Sequence, residues 1–199
     1  MPPSDFSQEP RACWTGAVTL IETPADCDAA LLRLRGVRVV GLDTETKPTF
    51  FKGQPPRKPA LMQLAAKTKD GIEVFLIFLK PCGLTPALLA FLQDPAVSKT
   101  GAGIHDDMKG LVRIAPFKPA GMLELGALAK RKGIHASGLR SLAGTLYGER
   151  VSKRIARSNW GRAVLSEAQI RYAATDAWLS LRIYETLCAM PDAETSAER

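Results

Sequence analysis

The chain begins with short apolar runs separated by turn signals and continues with longer stretches of helical periodicity. AVTLIET, around residue 20, is rich in β-branched and apolar residues and predicts a short strand. Thr23-Pro24 supplies an N-cap and a proline at the first helical position, and Gly36 supplies a stop. ADCDAALLRLR between them predicts a helix. VRVVGLDTET predicts a buried strand, and ALMQLAAKT and IEVFLIFL two more, joined by a turn at Lys69-Asp70-Gly71. IEVFLIFL alternates poorly, as expected of a central strand covered on both faces. Thr85-Pro86 opens a helix, PALLAFLQD, and AVSKTGAG predicts another strand, running into the helix IHDDMKGLVRI. Three further helices are predicted at MLELGALAKRK, SGLRSLAGTLYG and LSEAQIRYAATDAWLSLRIYETLCAM. A β-rich half followed by an α-rich half predicts an α/β fold, a mixed sheet flanked by helices.

The length, 199 residues, suits one domain with a full core. Residues 1–14, rich in Pro, Ser and acidic side chains, predict a flexible N-terminal tail, and residues 191–199 a C-terminal one; the domain is expected over residues 15–190. The longest strongly apolar stretch, residues 74–79, falls far short of the ~20 residues that cross a bilayer, so no membrane is expected as partner. The N-terminus also lacks the apolar core of a signal peptide. Cys13, Cys27, Cys82 and Cys188 form no C-x-x-C pair, and His105 and His135 are the only histidines, which argues against a zinc site. Scattered cysteines fit a reducing, cytoplasmic setting. Lys and Arg outnumber Asp and Glu by 27 to 20, giving a formal charge of +7. Such a surface attracts polyanions, of which nucleic acid is the commonest.

Against this basic background three acidic segments stand out. Asp43 and Glu45 lie two residues apart on the strand VRVVGLDTET, so they share a face. Two carboxylates on one face of a core strand repel each other and lose hydration, and a divalent cation relieves both costs. Asp106 and Asp107 follow Gly101 and Gly103 into the first turn of a helix, where the dipole favours negative charge. Ser166-Glu167-Ala168-Gln169 is a capping-box pattern opening the last helix, which carries Tyr172 and Asp176 four residues apart on one side. Ala173, Ala174 and Ala177 beside them allow close approach to a metal site or sheet. Each segment alone has an ordinary structural explanation; their combination does not.

In order and spacing, GLDTET, GAGIHDDMKGL and QIRYAATDAWLSLRIY resemble the three motifs of the DEDD superfamily of 3′→5′ exonucleases, most closely ribonuclease D and the Werner-type exonucleases. ALMQLA, GLRSLAGTLYG and SNW match supporting segments, and the resemblance runs from about residue 15 to about residue 190. It implies an RNase H-like mixed β-sheet flanked by α-helices in a single domain. It also implies two divalent metal ions, Mg²⁺ or Mn²⁺, with Asp43 bridging them, Glu45 and Asp176 completing one site and Asp107 supporting the other. Tyr172 would position the attacking water, which makes this the tyrosine subtype; the histidine subtype needs His where this chain has Arg171. The implied partner is nucleic acid, DNA and/or RNA, with a free 3′ end. The competing expectation is a non-catalytic nucleic-acid-binding module on the same fold, against which the complete set of acids argues. Two departures from the family pattern, Val164 where Pro is frequent and Glu124 where Asp is frequent, spare the implied ligands.

For substrate grip, the loop KPTFFKGQPPRKP offers Lys47, Lys52, Arg57 and Lys58 to a phosphate backbone and Phe50 and Phe51 to a terminal base. Lys99 is a further cationic candidate, followed by Lys109, Lys153, Arg154 and Arg157. Trp160 reads as a packing anchor and His105 as an ordinary helix-start residue.

Overall fold

The computed structural model describes residues 11–48, 57–152 and 155–193. Its centre is a six-stranded mixed sheet. The strands are β1 (Thr19–Ile21), β2 (Val39–Thr46), β3 (Pro59–Thr68), β4 (Gly71–Phe78), β5 (Ser98–Gly101) and β6 (Met122–Glu124), in the order β1-β4-β3-β2-β5-β6. β2, β3 and β4 form an antiparallel meander, while β1, β5 and β6 pair in parallel with β4, β2 and β5 respectively. Gly71, at the β3–β4 turn, has φ 114°, which a side chain would resist.

Helices cover both faces. On one lie α1 (Pro24–Arg33), the short α2 (Leu79–Cys82), α3 (Pro86–Gln93) and α4 (Ile104–Val112); on the other lie α5 (Leu125–Arg131), α6 (Leu139–Tyr147) and the long α7 (Glu167–Ala189). The caps are those the sequence predicts: Thr23 Oγ1 accepts from Asp26 N–H at 3.1 Å and Thr85 Oγ1 from Leu88 N–H at 3.1 Å. Strand β3 sends Met62, Leu64 and Ala66 into the core under α1 and α3, and Leu61 and Ala65 into the core under α7. Strand β4 divides Phe75 and Ile77 from Val74, Leu76 and Phe78 in the same way. The missing polar alternation in IEVFLIFL thus has its cause in two covered faces.

Two expectations need correction. MLELGALAKRK does not form one helix: Met122–Glu124 pair with Lys99–Gly101 as the edge strand β6, and the helix starts only at Leu125. The partner strand overrides local propensity there. The N-terminal tail also ends earlier than residue 14. Arg11 is bridged to Arg150, Ala12 N–H donates to Arg150 O at 3.0 Å, and Trp14 N–H donates to Thr175 Oγ1 at 2.9 Å while its ring tilts against Trp178. At the other end Lys132 is ion-paired with Asp192, so the chain is still docked beyond residue 190. Among the described residues, no helix is long and apolar enough to cross a membrane.

Candidate active site

Strand β2 presents two different faces. Val40 and Leu42 point into the core beneath α4, whereas Gly41, Asp43 and Glu45 face α7. A Cβ on Gly41 would fall 2.1 Å from Ala177 O and 2.7 Å from Leu181 N, so only glycine lets α7 lie this close to the strand. Ala173, Ala174 and Ala177, all fully buried, complete that close approach. It carries Asp176 against the carboxylates of β2. Ligand oxygens of Asp43, Glu45 and Asp176 lie within 4.8 Å of one another.

Asp107 arrives from the other side. β5 pairs with β2 as far as Gly41↔Thr100 and ends at Gly101, which lies against Leu42 O; among the described residues no strand pairs with the last residues of β2 on that edge. The N-terminus of α4 fills the space, starting from Gly103 at φ 91°. Glu124 holds it there, its carboxylate accepting from Gly103 N–H at 3.0 Å and Ile104 N–H at 3.1 Å. Asp107 Oδ1 accepts from Thr44 Oγ1 at 2.6 Å, and its charge acts directly on Asp43. The neighbouring Asp106 points elsewhere: its side chain is exposed and paired with Lys109 at 2.8 Å, and it acts on Asp107 through its charge. Of the two adjacent aspartates, Asp107 is the one the fold turns inward.

Tyr172 stands one helical turn before Asp176. Its ring lies 5.9 Å from that of Trp160, which is itself buried and packs in the core under α7. The capping box explains how Trp160 is held: Ser166 Oγ accepts from Gln169 N–H at 3.3 Å, and Gln169 Nε2 reaches back to donate to Ser158 Oγ at 3.0 Å and Asn159 O at 3.3 Å. The segment SNW is therefore pinned to the start of α7 beneath Tyr172.

The electrostatics are those of like charges collected in a desolvated place. Burial first, then Asp107, Asp176 and Glu45, push the Asp43 carboxyl well above the usual carboxylate range. Burial, then Asp176 and Asp107, lift Glu45 to about 9, and burial lifts Asp176 to about 7 and Asp107 to about 6. Asp176 Oδ1 is buried and accepts no hydrogen bond. Gln63, opposite Asp43 across β2–β3, and Thr100, beside Gly41, also keep buried polar side-chain atoms without partners. A carboxylate oxygen buried this way costs free energy unless something positive meets it, and a hard divalent cation suits four carboxylates. The residues present fit such an ion.

An open cleft of about 620 Å³ leads to the acids, bordered by Asp43, Tyr172, Asp176 and the start of α6. Two residues that sequence reasoning passed over stand at this site. Thr44, inside the D-x-E pair, is the donor to Asp107. Arg140 of α6 donates from Nη2 to the Tyr172 hydroxyl at 3.1 Å. A polar residue between two acids was the available signal for the first; the second follows only from the fold.

The cationic candidates separate. Lys47 and Lys58 are exposed and Arg57 half-buried, on the loop flanking β2 and β3. Phe50, Phe51 and Lys52, like Lys153 and Arg154, lie outside the described residues. Lys99 is fully buried, its Nζ donating to Phe91 O at 3.2 Å and Asp94 O at 2.7 Å. It caps carbonyls at the end of α3 and is withdrawn as a substrate contact. Trp160 is a core anchor and His105 is exposed.

A family model described as 3′-5′ exonuclease matches residues 18–190. The chain belongs to the 3′-5′ exonuclease family, within the DEDD superfamily. This exonuclease domain is 35% identical over 162 residues to a 3′-5′ exonuclease of Arabidopsis thaliana, covering 79% of this chain and 55% of that protein. It is 31% identical over 153 residues to ribonuclease D of Haemophilus influenzae, covering 74% of this chain and 36% of the relative. The crystal structure of Escherichia coli RNase D, described as an exoribonuclease involved in structured RNA processing, superposes with a TM-score of 0.76 at 25% identity. That match covers 87% of this chain and 44% of that one. The exonuclease chain thus spans about half the length of the Arabidopsis relative, and less of the ribonuclease D proteins. The RNase H-like mixed sheet expected from the motifs is the fold it has.

Proposed function

We propose that this chain hydrolyses the terminal phosphodiester at the 3′ end of DNA and/or RNA, with residues 15–190 as the catalytic domain. The observation that carries the reading is the convergence of Asp43, Glu45 and Asp176 oxygens within 4.8 Å, with Asp107 reaching the same strand end. Water adds across the terminal P–O3′ bond. The shortened strand keeps a 3′-hydroxyl and a nucleoside 5′-monophosphate leaves.

Asp43, Glu45, Asp107 and Asp176 would hold two Mg²⁺ or Mn²⁺ ions. When bound, such ions lower the pKa of a coordinated water and offset charge on the phosphate oxygens. The protein's own groups do the rest. Thr44 fixes the Asp107 carboxylate, and Glu124 fixes the helix start that carries it. Burial and the adjacent acids push the Tyr172 hydroxyl above its ordinary value, so it stays protonated at neutral pH and orients the attacking water instead of removing its proton. Lys47 and Lys58, both exposed, and Arg57 are the candidates to meet a phosphate backbone, and Phe50, Phe51 and Lys52, outside the described residues, are the candidates for the terminal nucleotide.

The test is incubation of 5′-labelled DNA and RNA oligomers with Mg²⁺, Mn²⁺ or EDTA, resolved on a gel. A ladder shortening from the 3′ end with either metal and none in EDTA is the expected result. Intact oligomers under every condition would leave the non-catalytic binding module as the better reading.

A further inference from the structure

Arg140 sits at the second position of α6, in the first turn after Gly138. A cation there is at the wrong end of the helix macrodipole, which favours negative charge at an N-terminus. Its placement is compensated from outside the helix. The side chain borders the cleft, and its charge is the positive one acting on both Glu45 and Asp176. Among the described residues its hydrogen bond is to one group, the Tyr172 hydroxyl.

That bond has a definite direction. A guanidinium has donors and no acceptor. The Tyr172 oxygen must therefore accept from Arg140, and the one hydrogen of the phenol points elsewhere. It has Asp176 and the cleft to point to. A phenol lacking this partner rotates between donating and accepting; a phenol with it is held as a donor. We infer that Arg140 is a positioning residue that fixes the Tyr172 hydroxyl as a hydrogen-bond donor facing the reacting phosphate and water. It works across two helices, α6 and α7, that share no local sequence signal. The inference rests on the exonuclease reading.

A double-mutant cycle tests it, using the full chain and Mn²⁺ with a labelled oligomer of either sugar type on which the wild type is active. Arg140→Ala is expected to lower kcat about 10- to 100-fold, the scale of a mispositioned reacting group, with KM changed less than about threefold. Tyr172→Phe lowers kcat by a similar factor, and Arg140→Ala adds less than about twofold in the Tyr172→Phe background. Arg140→Lys, which keeps the charge but lacks the planar guanidinium fork, recovers only part of the loss. Losses that multiply in the double variant overturn the inference. So does a rise confined to KM, which would make Arg140 a phosphate-binding group only.

A second readout does not need turnover. The chain has three tyrosines, Tyr147, Tyr172 and Tyr184. With ¹³Cζ-labelled tyrosine, Arg140→Ala is expected to move the Tyr172 resonance and leave the other two in place, which also reports an intact fold. An unmoved Tyr172 resonance overturns the inference. An inactive wild-type chain would instead sink the exonuclease reading, whereas an active wild type with an equally active Arg140→Ala sinks this inference alone.

Discussion

The two faces of β2 use one strand for opposite ends. Val40 and Leu42 enter a dry apolar core with Met62, Leu64 and Phe75, where every neighbour is satisfied by contact alone. Gly41, Asp43 and Glu45, on the alternate positions, meet a helix backbone and two more carboxylates, and the charge of Arg140, which acts on Glu45 and Asp176, leaves all four acids raised above the usual carboxylate range. Strand periodicity separates them by a single residue. The comparison teaches that stability and chemistry are partitioned by side rather than by segment. The site can therefore be electrostatically costly without the sheet coming apart, because the cost lies on the face that α7 covers and the compensation lies on the other.

The partition is broken most sharply at Asp43. Asp43→Asn is expected to remove all measurable exonuclease turnover while thermal unfolding stays at or above the wild-type temperature in EDTA. The substitution deletes a buried charge that three other carboxylates oppose. A folded variant turning over near the wild-type rate defeats the metal-ligand assignment, and a variant that melts far lower defeats the partition. The mirror experiment is Leu42→Ala, one residue away and fully buried. Cavity formation there costs about 2–5 kcal/mol. Chemical denaturation should show the loss, with the folded fraction keeping its activity.

Much of this was legible in the chain. Asp43, Glu45, Tyr172 and Asp176 could be placed because period-2 and period-4 spacing survive translation into structure without tertiary information. Thr23, Thr85 and the Ser166–Gln169 box marked helix starts for a similar reason: a cap is satisfied within four residues. What stayed hidden depends on remote partners. Met122–Glu124 is a strand only because β5 lies beside it. Lys99 looks like any surface lysine until its carbonyl partners on and after α3 are known, and nothing near Arg140 in sequence announces Tyr172. Asp106 and Asp107 are alike in residue type, and the motif resemblance alone points to Asp107. The fold supplies the physical reason, since Asp107 meets Thr44 of β2 while Asp106 pairs with Lys109.

A pH experiment sharpens the comparison with a smaller effect. A carboxyl has an ordinary value near 4 in the unfolded chain, whereas Asp107 is held up to about 6, Asp176 to about 7 and Glu45 to about 9 in the fold. The folded state thus binds more protons than the unfolded one across this window. The contribution of these three carboxyls is complete below about pH 4 and is lost progressively as pH rises through about 6, 7 and 9. In EDTA the melting temperature should fall from pH 5 to pH 9, and saturating Mg²⁺ or Mn²⁺ should flatten that fall by favouring the ionised acids. Asp43→Asn should flatten it as well. An equal slope with and without metal would remove the cluster as its source.

The smallest expected effect belongs to Thr44, the residue that joins the two faces. Its neighbours Asp43 and Glu45 point to α7, yet its own hydroxyl donates to Asp107 on the side of α4, at 2.6 Å. Thr44→Val keeps the shape, the β-branched backbone preference and nearly all the packing, and removes only that donor. Partners that orient a ligand from outside the coordination sphere are worth about 10- to 100-fold in metal affinity or activity. Asp107 also keeps a backbone contact from Thr44, so the lower end, about tenfold, is expected. The loss should appear as a higher Mn²⁺ concentration for half-maximal activity and should vanish when Mn²⁺ is raised, because the carboxylate is still present and only less well aimed. A tenfold fall that excess Mn²⁺ does not restore would mean that Thr44 acts on the reacting phosphate itself, and that the division of β2 into a core face and a chemical face ends one residue earlier than Asp43 and Leu42 suggest.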